Sequence, residues 1–97
     1  MAKRIDVITP PPLEQSAGGR VNFGSPQQQW HGDNVMQLAL FAGQEMMAIM
    51  MEKEAGFRLG YLGFNQHGFA TMEQAKTAAP AFARGVLKEL SDRVIQP

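Results

Sequence analysis

The residues that could do acid–base or metal chemistry are few and widely spaced. His31 and His67 are the two histidines of this 97-residue chain, and no spacing between them and the carboxylates is typical of a metal site. Glu45 and Glu52 are seven residues apart and would share one face of a helix. A catalytic carboxylate pair needs a cleft that shifts the pKa values, so the sequence favours a solvated stripe. We therefore expect no metal ion and no cofactor in this protein.

Motifs for nucleophilic catalysis and phosphate binding are also missing from the sequence. The chain contains no cysteine, and Ser16, Ser25 and Ser91 lie in no recognisable nucleophile motif. The glycines of the N-terminal region do not open a helix in the order that cradles a phosphate group. The sequence therefore predicts that the protein is not an enzyme.

A glycine-rich aromatic section covers residues 57–70. Its spacing, from Arg58 to Phe64, does not match the aromatic strands that stack bases in RNA-binding sheets. Nine basic residues balance nine acidic ones, whereas a protein that coats nucleic acid normally carries a basic excess. The section fits a short hairpin or an aromatic-packed loop. We expect no nucleic-acid partner.

Methionine gives the sharpest functional indication. Four methionines lie between residues 46 and 51, and this flexible, polarizable side chain is common on surfaces that accept partner helices, although it also fills gaps in cores. Ala39 and Gly43, four residues apart, would let another helix approach closely. The predicted partner-binding residues are Met46, Met47, Met50, Met51, Ala39, Gly43, Val21, Phe23 and Trp30.

These methionines belong to the apolar run 35–51, whose polar side chains are Gln37, Gln44 and Glu45. At 100° per residue the apolar arc of a helix here exceeds half the circumference, whereas a stripe of roughly 100° suffices to cover one core. The sequence predicts a helix over about 34–55 that is buried on two sides and needs other chains to cover it. Its 17 residues fall short of the ~20 that span a membrane.

A second helix is predicted over about 72–95. Thr71 and Gln74 stand in the capping-box relation, and the apolar residues that follow share one face of a helix. Pro80 lies on the opposite side, so we expect a kink there rather than an interruption. The predicted fold is therefore mainly α, an antiparallel helical hairpin with possible short β segments.

An extended N-terminal arm is predicted for residues 1–32, and a small helical domain for residues 33–97. Four of the six prolines lie in the arm. Ile5 and Val7, and then Val21 and Phe23, form short alternating pieces that could add a strand to a sheet. A disordered tail is the alternative, and Trp30 is the candidate anchor.

The function predicted from the sequence is that of a non-enzymatic assembly subunit in the cytoplasm or a virion, such as a small phage head or tail component. It would associate with itself or with other protein chains through the methionine-rich helix and the arm, and it would have no membrane partner. One alternative is a small inhibitor or adaptor that binds one host target. A nucleic-acid accessory protein is a further alternative, opposed by the neutral charge.

Overall fold

The computed structural model describes residues 11–14, 22–53 and 56–95. From His31 onward these residues contain an antiparallel sheet followed by a helix. The five strands lie side by side in their order along the chain. Every neighbouring pair is antiparallel. The elements are β1 (His31–Gly32), β2 (Met36–Phe41), β3 (Gln44–Met50), β4 (Phe57–Tyr61), β5 (Phe64–Phe69) and α1 (Met72–Asp92).

The predicted fold class is wrong, because residues 34–53, the described part of the predicted first helix, contain the β2–β3 hairpin and no helix. Ala42 and Gly43 connect the strands with φ angles of 51° and 74°. Two positive φ angles in a two-residue loop are the geometry that suits a hairpin. Both faces of these strands carry apolar side chains, so the sequence shows a continuous apolar run that also fits a buried helix. The molecule is neither mainly α nor a helical hairpin.

The section 57–70 forms a second hairpin, which was one of its two interpretations. Leu62 and Gly63 make the turn between β4 and β5, with φ angles of 51° and 83°. Phe57, Tyr61 and Phe64 all lie on the face of the sheet that packs against α1. The aromatic residues therefore contribute to the core.

The helix predicted over about 72–95 is present as α1. The Thr71 hydroxyl accepts a hydrogen bond of 3.1 Å from the backbone N–H of Gln74, as an N-cap residue should. Pro80 lies inside the helix. The helix packs on β3, β4 and β5 through a buried stripe of small residues. The stripe consists of Ala75, Ala79, Ala83 and Val86. Within the described ranges, no helix has the length and apolarity that a membrane crossing requires.

The core lies between α1 and the sheet. Met46, Leu59 and Tyr61 are its largest fully buried side chains. Trp30 packs on Phe41 with ring centroids 5.8 Å apart, and Phe41 meets Tyr61 edge-on at 6.4 Å. This aromatic chain extends the core across β2, beyond the strands that α1 covers.

The later part of the predicted arm is joined to the sheet. The backbone N–H groups of Asn22 and Gln28 donate to the carbonyl oxygens of Gly43 and Leu40, at 2.9 and 2.7 Å. The side-chain oxygen of Gln27 accepts from the Gly43 N–H at 2.8 Å. Residues 22–32 thus lie beside β2, and the boundary predicted at residue 32 falls at the end of β1. Ile5, Val7 and Val21 lie outside the described residues.

Candidate functional site

The sheet has one face against α1 and another, here called the outer face, on which no described helix or strand packs. Side chains alternate between the faces along each strand. The strand pairing therefore places every other residue of β1–β5 on the outer face. These residues are His31, Met36, Leu38, Leu40, Glu45, Met47, Ile49, Arg58, Gly60, Asn65 and His67.

The centre of the outer face is apolar. Leu38 lies opposite Met47, and Met36 lies opposite Ile49. Leu38, Leu40, Met47 and Ile49 are half-buried among their neighbours, and Met36 is 39% exposed. Opposite and diagonal side chains on neighbouring strands are within reach of one another, and Leu40 is diagonal to Met47, so the five form one continuous patch. We call this set the apolar patch.

Gly60 continues the apolar patch toward β5 without adding a side chain. A Cβ atom at Gly60 would lie 4.0 Å from the terminal methyl of Met47 and 3.3 Å from the side-chain oxygen of Asn65. The Met47 side chain therefore leans over β4, and the surface beside it is low. A complementary surface could approach the backbone closely at this point.

Charged side chains stand at opposite ends of the apolar patch. Arg58 lies opposite Ile49 in the register, whereas Glu45 lies on β3 four residues before Ile49, which is about 14 Å along the strand. Glu45 is exposed, and Arg58 is half-buried. One terminal nitrogen of Arg58 donates to the Asn65 side-chain oxygen at 3.0 Å. The buried Nε of Arg58 has no hydrogen-bond partner among the described residues.

Two depressions border the apolar patch. One, of about 410 Å³, lies between residues 25–31 and the Leu38–Leu40 side of β2, with Glu45 at its wall. The other, of about 620 Å³, lies at the opposite end and is lined by Val35, Ile49 and the residues that follow β3. The outer face is therefore a shallow trough with an apolar floor and polar walls.

The residues predicted to bind a partner do not lie together. Met46 and Ala39 are in the chain's own core. Gly43 is in the β2–β3 turn and Trp30 packs against the core. Phe23 is 54% exposed beside that turn, in the segment hydrogen-bonded to it. Met50 is on the α1 side of β3, Met51 follows the strand, and Val21 lies outside the described residues. Among the predicted residues that the structure describes, Met47 is the one at a strand position of the outer face.

Sequence reasoning missed Leu38, Leu40, Ile49 and Arg58 as surface partners of Met47. The available signal was alternation. Residues 38, 40, 47 and 49 fall on one side if residues 42 and 43 form a turn, while 39, 41, 46 and 48 fall on the other. Alanine followed by glycine is not among the pairs that usually mark such a turn, so the signal was weak.

No group of three or more histidine, aspartate and glutamate side chains in ranges 11–14, 22–53 and 56–95 could hold a metal ion. Backbone N–H groups of Met36 and Val35 hold the pKa of Asp33 below its usual value. This shift results from a turn contact and not from a cleft. The strand positions of the outer face carry no phenylalanine, tyrosine or tryptophan, and their aromatic rings are the imidazoles of His31 and His67.

In comparisons with known proteins, no family model, curated protein or solved structure matches this chain.

Proposed function

We propose that this protein is a non-enzymatic subunit that assembles with other protein chains through the outer face of its sheet. The apolar patch is the observation that carries the proposal. A sheet needs only one apolar face to hold its own helix, and the second face of an exposed antiparallel sheet is usually polar. A contiguous apolar surface with a polar rim is typical of a protein interface.

The composition of the outer face supports a protein partner over a small molecule or a nucleic acid. Methionine side chains adapt to varied apolar surfaces, and the trough is shallow rather than enclosed, unlike most small-molecule sites. The zero net charge gives no general attraction to phosphate groups. The arm predicted from the sequence is a second protein contact in this proposal, because the exposed side chain of Phe23 is available to a partner.

The test introduces charge into the apolar patch. A variant with Met47→Glu and Ile49→Glu should fold, because both side chains still reach solvent in the single chain. It should lose assembly, because burying an unpaired carboxylate costs several kcal/mol. The measurement is the mass of the tagged chain in an extract of cells that make it naturally, with circular dichroism as the check on folding.

Two controls place the same charge elsewhere. Leu87→Glu makes the change on α1, away from the outer face and at an exposed position, and it should leave assembly intact. Met46→Glu places the charge in the core and should prevent folding. The proposed function is wrong if the natural chain runs at the mass of a monomer both in the extract and when purified.

A further inference from the structure

The charges of the outer face are arranged so that a second copy of the face would complement them. Glu45 is the single acidic residue among the strand positions of this face, and Arg58 is its single permanently charged base. They stand at opposite ends of the apolar patch. Arg58 uses one donor on Asn65, while its buried Nε has no partner among the described residues. Because that Nε is closed to solvent, an acceptor from outside the chain would meet the terminal nitrogens of the half-buried guanidinium, one of which already bonds Asn65.

We infer that the outer face packs against the outer face of a second copy of this chain about a two-fold axis. This inference rests on the proposed function and names its partner. Two identical surfaces related by a two-fold axis must be complementary to themselves. The two-fold axis lies between the two facing sheets and runs across the strands beside Met47. Rotation by 180° about this axis exchanges the two ends of the apolar patch. Glu45 of each copy then faces Arg58 of the other, and two ion pairs form at once.

The size of the outer face fits a weak dimer. Strands about 4.8 Å apart and about 17–20 Å long give five strands an area of about 400–500 Å² per copy. The total of about 800–1,000 Å² lies below the roughly 1,200–2,000 Å² of stable interfaces and in the size class of weak, transient ones. The zero net charge of the chain adds no overall repulsion between copies. We therefore expect a dimer that dissociates on dilution.

A second apolar surface, the groove between β5 and α1, is a poorer candidate for this contact. Phe64, Phe69 and Phe82 line it in a volume of about 410 Å³. The acidic side chain that lines it already has a partner within the chain, since Glu89 pairs with Arg93 at 3.3 Å and the Arg93 guanidinium lies 5.3 Å from the centre of the Phe64 ring. Among the described residues, the charged side chain that lines this groove is therefore already paired.

The experiment measures the mass of the purified full chain from micromolar to millimolar concentration by sedimentation equilibrium. Glu45→Arg and Arg58→Glu should each weaken dimerisation by more than about tenfold, because each places like charges opposite one another twice. The two variants mixed together should form a mixed dimer, because every pair then joins opposite charges. A chain carrying both changes should dimerise like the natural chain.

Two charge reversals on α1 serve as controls. Arg84→Glu and Glu89→Arg change exposed side chains on the opposite side of the molecule, and they should leave the dissociation constant unchanged. A natural chain that stays monomeric at millimolar concentration would overturn the inference. The proposed function would survive that result if the natural chain still assembles in the cell extract and the Met47→Glu, Ile49→Glu variant does not. A loss caused by Glu89→Arg alone would place the second copy at the β5–α1 groove and also overturn the inference.

Discussion

Tyr61 is the single tyrosine of the chain and one of its fully buried side chains. Its hydroxyl donates a hydrogen bond to the backbone carbonyl of Phe41. Burial raises the pKa of Tyr61 above its ordinary value of 10.0, because the charged phenolate would lose its hydration. The hydroxyl therefore has a structural role, which is to satisfy a carbonyl group inside the core.

The ionisation of Tyr61 makes the free energy of unfolding depend on pH in the alkaline range. A folded-state pKa above the unfolded value means that its contribution is complete below pH 10 and is lost as the pH rises toward the folded pKa. Ultraviolet titration of the native chain should give a midpoint above 10, and the chain in denaturant should titrate at the ordinary value.

The Tyr61→Phe variant is the control for this titration. It should lack the ultraviolet transition and lose about 1–2 kcal/mol of unfolding free energy at neutral pH, because the Phe41 carbonyl is left without its donor. Thr77→Ala removes a hydroxyl at an exposed helix position and should change the unfolding free energy by less than about 0.5 kcal/mol. A native titration midpoint at the ordinary value would mean that Tyr61 is hydrated.

The helices and strands of this protein differ in how clearly the sequence predicts them. The helix Met72–Asp92 could be predicted because its cap is local and its apolar stripe has one period. The strands β2 and β3 could not, because methionine, leucine, alanine, glutamine and glutamate favour helices and outnumber the β-branched residues there. Because these strands could not be predicted, most of the candidate site could not be predicted either. The sequence indicates Met47 as a partner-binding residue. On a helix, however, Leu38 and Ile49 would lie on the side opposite Met47, whereas in the β2–β3 hairpin all three lie next to one another on one face.

The hairpin turns carry a conformational cost that can be relieved. Leu62 has a φ of 51°, a region that costs an L-residue about 1–2 kcal/mol. Asparagine tolerates this conformation, and Asn-Gly is a preferred sequence for such turns. Leu62→Asn should therefore raise the unfolding free energy by about 1 kcal/mol, measured by denaturant titration of the dilute chain.

Leu87 provides the matched control for this turn variant. Its exposed fraction of 39% is close to the 37% of Leu62, but it lies in α1. Leu87→Asn should lower the unfolding free energy by about 0.5 kcal/mol, because asparagine is a poorer helix former. Equal losses in both variants would show that the apolar contacts of Leu62 outweigh its backbone strain.

At the level of the whole molecule, the segment beside β2, the sheet and α1 are joined through one set of contacts. Trp30 packs on Phe41, Phe41 meets Tyr61, and Tyr61 lies in the core that α1 covers. Trp30 is the single tryptophan of the protein, so its fluorescence reports on the packing of Trp30 against Phe41. Circular dichroism reports mainly the helix at the other end.

We expect the two signals to follow one transition in urea, with the same midpoint, because coupled packing makes small domains unfold cooperatively. Moving the reporter with Trp30→Phe and Phe23→Trp provides the control. Phe23 is 54% exposed, so the fluorescence of a tryptophan there should change little on unfolding. Fluorescence that changes well before the helical signal would mean that residues 22–32 detach independently of the sheet and helix.

The strand order has a consequence for how the protein folds during its synthesis. Each strand pairs with the one made just before it, so hairpins can form as soon as they leave the ribosome. The helix that covers the inner face is translated after all five strands. Until Asp92 has emerged, the nascent sheet exposes both of its apolar faces, a state that favours aggregation and chaperone binding. Synthesis stalled within α1 should therefore leave a nascent chain that depends on chaperones, whereas the completed chain should not.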